Sequence, residues 1–456
     1  MLQDWLNRLK GVLASPPAPE IALADDETET VPTHRWLVWG FVALAGLMAA
    51  AVAVQELLGA AKSKDYPLWW RTGAAFYTHQ PLYTSSFDWA SQDRGGMEFL
   101  YSPFAAMVFA PFAAMGKVPL YVALVLAITA GWFFTVTLTL KALRIQRLSP
   151  VLIIVPSLLL LEPIIGCFDL GQPNLTLLAL CLAALWLDYR GKGLIGGGLL
   201  GAAVAFKLFP ILIAPYLVVR RRWKTLASGT VSFLACFFVL PALVRGPAQT
   251  QADLATWWPA ISRTDADVLA QRPWNWGYKN QSLMALIHRL LRPADTWISR
   301  DHPVHMNVVD LGFSGANVVY AVIGLALAGW FLWLLLRTPW SDQDREVRLW
   351  GIILCLVTIA TPLARTYYYV WLLMPLTVLV SGLYGRRRFG GNKARLAFGV
   401  AVACIVLSFG GLPRIFQAGA PMLFAAAAVM WGLAEQVRGE GRIETRKDTE
   451  LRGIND

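Results

Sequence analysis

Long stretches without charge constrain this chain more than any other feature. Apolar runs recur near 36–60, 100–115, 118–140, 149–166, 172–188, 194–219, 224–244, 310–336, 349–361, 367–384, 396–412 and 417–434. A hydrocarbon core of about 30 Å asks a helix for about 20 such residues. Lipid offers a backbone no hydrogen bonds, so the peptide groups of such a run must be satisfied within it. The runs predict an all-α polytopic membrane protein, a bundle of roughly 10–12 transmembrane helices with interfacial helices in its outer loops. Composition agrees: 56% of the 456 residues are hydrophobic and 15% charged, whereas soluble domains are nearer about 45–50% apolar.

The formal net charge of +11 does not point to nucleic acid. The basic residues gather at the ends of apolar runs: Lys141/Arg144/Arg147, Arg190/Lys192, Arg220–Arg222 with Lys224, Arg337/Arg345/Arg348, and Arg386–Arg388 with Lys393 and Arg395. Such clusters mark cytoplasmic loops, and the 20 tryptophans suit the two interfaces. Three parts follow. Residues 1–35 are a cytoplasmic segment with an amphipathic start (Leu2, Trp5, Leu6, Leu9, Val12, Leu13) and an acidic linker. Residues 36–434 are one transmembrane domain, with long loops 61–99 and 245–309 that lack dense basic clusters and are assigned outside. Residues 435–456 read as a charged, disordered tail. The five cysteines, far apart and in or beside apolar runs, read as packing.

Charge also bears on parity. Two full crossings over 100–115 and 118–140 leave the basic cluster 141–147 outside. A dip by 100–115, broken by Pro103 and Pro111, returns every cluster to the inside. The second scheme makes 194–219 a hairpin of two short arms turning near Phe206-Lys207-Leu208-Phe209-Pro210.

Polar groups inside such a chain are costly, and a few stand out. Asp65 follows the first apolar run, with Lys62, Lys64 and Arg71 near enough in sequence to favour its ionised form. Lys207 sits mid-run, where a lysine costs at least about 2.5–3.5 kcal/mol. It either snorkels to the interface or serves as a cation for a lipid phosphate. Gln172 and Asn174 flank Pro173, as helix caps or as amides aimed at sugar hydroxyls. Asn280 and Gln281 end an aromatic–amide stretch beginning at Trp274, which suits a sugar site or an interfacial anchor. Arg365 offers a planar fork to phosphate, ahead of Tyr367, Tyr368 and Tyr369. His302 and His305 lack a surrounding ligand set, so no metal site is expected.

Several of these residues fall into an ordered series. Asp65, Tyr77 with Gln80-Pro81-Leu82-Tyr83, Leu100-Tyr101-Ser102-Pro103, Gly171-Gln172-Pro173-Asn174, Lys207-Leu208-Phe209-Pro210 before Arg221-Arg222-Trp223, Asn280-Gln281-Ser282 and Thr361-Pro362 appear in that order. The series resembles glycosyltransferase family 87, GT-C enzymes related to polyprenol-phosphate-mannose-dependent α-1,2-mannosyltransferases. It covers about residues 36–385, and its specificity lies in the order, since each motif alone is weak. The resemblance implies a multi-pass GT-C fold, a polyprenyl-phosphate sugar donor, and Asp65 as catalytic base in the first outer loop. Lys207 and Arg365 are then the expected donor-phosphate contacts. Arg71, Tyr101, Gln172, Asn174, Asn280, Gln281, Tyr367 and Tyr368 are the expected sugar and acceptor contacts. One departure bears on the sugar: Tyr367-Tyr368 stand where such proteins often carry a histidine pair.

The expected activity is inverting transfer of a mannose-like hexose to a glycolipid or glycan hydroxyl, at the outer face of the cytoplasmic membrane. No cofactor, metal or nucleic acid enters; the lipid bilayer is the standing partner. Rival readings are a flippase of lipid-linked sugars, against which no internal repeat is evident, and a surface-polysaccharide polymerase or ligase.

Overall fold

The computed structural model describes residues 35–59, 65–83, 100–145, 149–262, 273–299, 301–338, 343–384 and 391–452. The amphipathic start, Lys62, Lys64, Arg147 and the Arg386–Arg388 cluster lie outside the described residues. What is described is helical, without a strand. It is an all-α polytopic membrane protein.

In chain order the helices that place the site are α1 (Arg35–Leu57), α2 (Asp65–Tyr77), α3 (Pro103–Ala114), α4 (Lys117–Ala142), α5 (Val151–Leu159), α6 (Leu161–Leu170), α7 (Asn174–Tyr189) and α8 (Gly193–Phe206). They continue with α9 (Ala214–Val219), α10 (Trp223–Leu234), α11 (Leu240–Arg245), α12 (Pro247–Ser262), α13 (Leu283–Leu291), α14 (Gly312–Arg337), α15 (Gln343–Ala360), α16 (Leu373–Tyr384), α17 (Asn392–Leu407) and α18 (Pro421–Arg452). Among the described residues, five stretches are long and apolar enough to cross a membrane: Leu37–Leu57, Lys117–Ala142, Trp223–Arg245, Gly312–Arg337 and Thr366–Tyr384. The pair α5 and α6 makes a sixth, bent by 66°. The remaining apolar runs are interrupted rather than straight. Pro103–Ala114, Asn174–Tyr189, Gly193–Phe206 and Phe209–Val219 are all shorter pieces.

The contacts fix the direction of each piece. Phe41 packs edge-on against Trp132, and Glu56 pairs with Lys117, so α1 and α4 are antiparallel. Both ends of the segment 57–117 therefore lie at one end of the bundle, where α3 finishes. The other end of α4 meets α15, where the Gln343 side chain donates to the Ala142 carbonyl at 2.8 Å.

Helices α8 and α10 run parallel along a seam of small residues, the arrangement that lets membrane helices approach closely. A methyl group on Gly197 would lie 2.0 Å from Ser228 Oγ and 2.2 Å from the Thr225 carbonyl oxygen. Gly193 meets Thr225 and Gly201 meets Gly229 and Phe233 in the same register. Ser228 and Ser232 donate to the Leu194 and Gly198 carbonyls at 3.0 and 2.8 Å. Two parallel helices need a return between them, and residues 207–222 supply it. Arg222 closes the return with an ion pair to Asp188 at 3.2 Å. The stretch 194–219 is thus two arms, with Lys207 in extended backbone (φ −151°, ψ 118°) at the turn.

Helix α18 runs from Pro421 to Arg452. Glu, Arg and Lys are good helix formers, and a helix already nucleated by its packed half needs only propagation.

Candidate active site

The site is built where helices stop. Between α6 and α7 the chain turns through Gly171 in the left-handed region (φ +66°), with the Tyr66 ring as near as 3.0 Å to where a Cβ would sit. Only glycine fits such a place. Helix α2 clamps onto this turn: Trp69 Nε1 donates to the Gly171 carbonyl at 3.0 Å, and the Tyr66 hydroxyl to the Phe168 carbonyl at 2.7 Å. The clamp brings Asp65, first residue of α2, against Gln172, and Gln172 Nε2 donates to Asp65 Oδ2 at 2.5 Å. Neither Gln172 nor Asn174 caps α7, whose N-cap is Pro173 without a side-chain bond.

A second anchor sets Tyr101 beside the hairpin turn. Ser102 Oγ donates to the Ala205 carbonyl at 2.5 Å and accepts from the Ala105 amide at 3.4 Å, tying the start of α3 to the last turn of α8. The Tyr101 hydroxyl then donates to Gln172 Oε1 at 2.6 Å. Lys207 Nζ donates to the Tyr101 hydroxyl at 3.2 Å and to Asn174 Oδ1 at 3.1 Å. Asn174 Nδ2 donates in turn to the Tyr367 carbonyl at 3.4 Å. The ammonium faces the rings of Tyr368, Tyr101 and Phe209, with centroids 4.0, 4.8 and 5.4 Å away. Among the described residues no carboxylate pairs with Lys207, and its charge is held by neutral groups and ring faces. It has not snorkelled. Burial pushes the Tyr101 phenol well above its ordinary pKa, so the hydroxyl keeps its proton.

Seven of the expected residues therefore meet: Asp65, Tyr101, Gln172, Asn174, Lys207, Tyr367 and Tyr368. Arg365, half-buried, opens the tight turn of Thr366–Leu372 and lies within electrostatic reach of Tyr367. Three others lie elsewhere. Arg71 is exposed on α2. Asn280 is a brace: its Nδ2 donates to the Asn275 and Pro362 carbonyls at 2.8 and 3.2 Å, and its Oδ1 accepts from the Ser282 and Ala364 amides at 3.1 and 3.0 Å. That uses all four bonds an amide side chain offers. Gln281 Oε1 likewise accepts the Met422 amide at 2.9 Å. A short turn whose own backbone is unpaired draws these amides inward, so neither meets the Asp65–Lys207 group.

Sequence reading missed two contributors. Trp69 packs on Tyr101 at 4.5 Å between ring centroids and on Phe206 at 6.1 Å, forming an apolar wall. Arg245, buried, pairs with Asp253 at 2.8 Å and donates to the Ala75, Phe76 and Gln80 carbonyls, which caps the far end of α2. Trp69 was legible only as one of the 20 tryptophans suited to the interfaces. Nothing near Arg245 signalled a partner about 170 residues away in sequence.

Fold and site together define a membrane-embedded enzyme. The sequence profile of glycosyltransferase family 87 matches residues 99–362. The chain is 26% identical over 396 residues to a polyprenol-phosphate-mannose-dependent alpha-(1-2)-phosphatidylinositol mannoside mannosyltransferase of Mycolicibacterium smegmatis, covering 81% of each chain. It is 30% identical over 355 residues to a polyprenol-phosphate-mannose-dependent alpha-(1-2)-phosphatidylinositol pentamannoside mannosyltransferase of Mycobacterium tuberculosis, covering 74% of this chain and 71% of that one. No solved structure gives a significant match. The chain belongs to glycosyltransferase family 87.

Proposed function

We propose that this glycosyltransferase moves a mannose-like hexose from a polyprenyl-phosphate donor to a hydroxyl of a lipid-anchored glycan, with inversion, and that Asp65 is the general base. The observation that carries the reading is one connected group holding a carboxylate at one side and an ammonium at the other, Asp65–Gln172–Tyr101–Lys207. The acceptor oxygen attacks the anomeric carbon. Its proton passes to the Asp65 carboxylate, the bond from that carbon to the phosphate oxygen breaks, and the electron pair leaves on the lipid phosphate. In-line attack inverts the anomeric centre. Lys207, joined by Arg365 from the start of the turn Thr366–Leu372, stabilises the charge that gathers on the leaving phosphate. A phosphate already leaves readily, and no metal is assigned a role.

The donor and the kind of acceptor are supported by the two relatives, whose names specify polyprenol-phosphate-mannose dependence and phosphatidylinositol mannosides. An outward-facing site is supported by charge. The ends of α4, α7 and α14 carry Lys141/Arg144, Arg190 and Arg337 at the end of the bundle away from Glu56 and Lys117, as a cytoplasmic face would. Purified enzyme in detergent, given polyprenyl-phosphate mannose and a phosphatidylinositol mannoside, is expected to form an α-linked product; Asp65→Asn is expected to form none while remaining folded. Near-wild-type turnover by that variant overturns the base, and inactive wild type overturns the donor.

A further inference from the structure

The hydrogen bonds between Lys207 and Asp65 all point the same way. An ammonium has only donors, so the Tyr101 oxygen must accept from Lys207. Its single proton is then free for Gln172 Oε1. With that oxygen occupied, the Gln172 amide turns its N–H toward Asp65 Oδ2. An ionised carboxylate only accepts, and the flipped amide would set oxygen against oxygen. Asp65 and Gln172 are both buried, so water does not compete for these groups.

We propose that Tyr101 and Gln172 are positioning residues for the base rather than sugar contacts, and that Tyr101 acts on Asp65 through Gln172. The inference rests on the transferase reading above. A phenol that only lined a sugar pocket would have no reason to hand its proton to a buried amide already bonded to the catalytic acid. Without the hydroxyl, Gln172 Oε1 is left buried without that donor, and the amide has nothing to choose its orientation. Asp65 then samples rotamers in which it misses the incoming hydroxyl, which lowers turnover while the donor still binds through Lys207.

A double-mutant cycle tests this, measuring kcat and donor KM with polyprenyl-phosphate mannose for wild type, Tyr101→Phe, Gln172→Leu and the double variant. Tyr101→Phe alone is expected to lower kcat by between about fivefold and about 100-fold, the range set by one unsatisfied buried group, with donor KM unchanged. In the Gln172→Leu background the same change is expected to cost nothing, because residues acting through one chain are not additive. Gln172→Met, which keeps the length of the side chain, replaces Gln172→Leu if the latter fails to fold. Independent, multiplying losses overturn the proposal, as does a Tyr101→Phe variant that raises donor KM and leaves kcat intact. The second result would show that Tyr101 serves Lys207 instead. Wild type that transfers nothing from this donor overturns the transferase reading and this inference with it, a result distinct from either.

Discussion

At one end of the bundle Arg220 grips Glu346 directly, whereas toward the other Lys207 and Asp65 are held apart by a phenol and an amide. The Arg220 guanidinium donates through Nε at 3.2 Å and Nη2 at 2.8 Å to the two Glu346 oxygens, and the Tyr216 hydroxyl adds a further short bond. Trp350 Nε1 closes the cluster on Tyr216 at 2.8 Å. Every charge there is spent on a neighbour, and the result joins the return arm of the hairpin to α15. Among the described residues, the ammonium of the Lys207 cluster is paired only with neutral oxygens and ring faces. Two clusters of similar ingredients are thus wired differently. Arg220 and Glu346 neutralise each other directly; in the other a phenol and an amide lie between the ammonium and the carboxylate.

The comparison can be broken by moving charges one at a time. Asp65→Asn is expected to lower transfer by about 10²–10⁴-fold, the usual weight of a general base, with the melting temperature unchanged. Glu346→Gln should do the reverse, costing up to about 3–5 kcal/mol of stability by taking the carboxylate from the buried Arg220, with donor KM unchanged in whatever protein folds; denaturant or thermal unfolding reads it. If Glu346→Gln instead impaired donor binding at full stability, the division of labour between the clusters would fall. Lys207→Met should raise donor KM by about tenfold or more while leaving the fold intact, since a half-buried lysine replaced by an apolar side chain loses a desolvation cost with its charge.

A smaller effect is expected in the second long loop. His288 stacks on Trp276 at 4.1 Å and lies against Arg292. Burial, then the Arg292 guanidinium, hold its pKa down at about 4, against a bond to Asn317 that raises it. The folded state thus takes up a proton less readily than the unfolded chain, whose histidine titrates near 6.5. This contribution to stability is complete above about pH 6.5 and is lost as pH falls toward 4. Melting temperatures across that window should decline, and His288→Gln should flatten the decline. Smallest of all, Arg71→Ala should change transfer by less than about twofold, since exposed charges away from such clusters rarely matter much.

How much of this was legible in the sequence depends on what each residue type can do alone. Lys207 and Asp65 stood out because lipid makes any charge expensive, and expense is visible without a partner. The helical class followed from run length for the same reason. Asn280 and Gln281 misled because an amide serves a sugar and a backbone turn equally well, and only the nearby Pro362 and Ala364 groups decide between them. Arg220 and Arg348 read as loop charges marking the cytoplasm, yet both are buried. The acid that claims Arg220 is 126 residues away in sequence, and no local pattern announces so distant a pairing. Hydropathy registers apolar length, not the backbone breaks at Gly116, Leu160 and Lys207.

The seam between α8 and α10 carries one last consequence. Where Gly197 touches Thr225 and Ser228 there is no side chain to yield, so the two helices cannot slip past each other by a single residue. The height of Lys207 along α10 is therefore indexed by that contact, like a tooth in a rack.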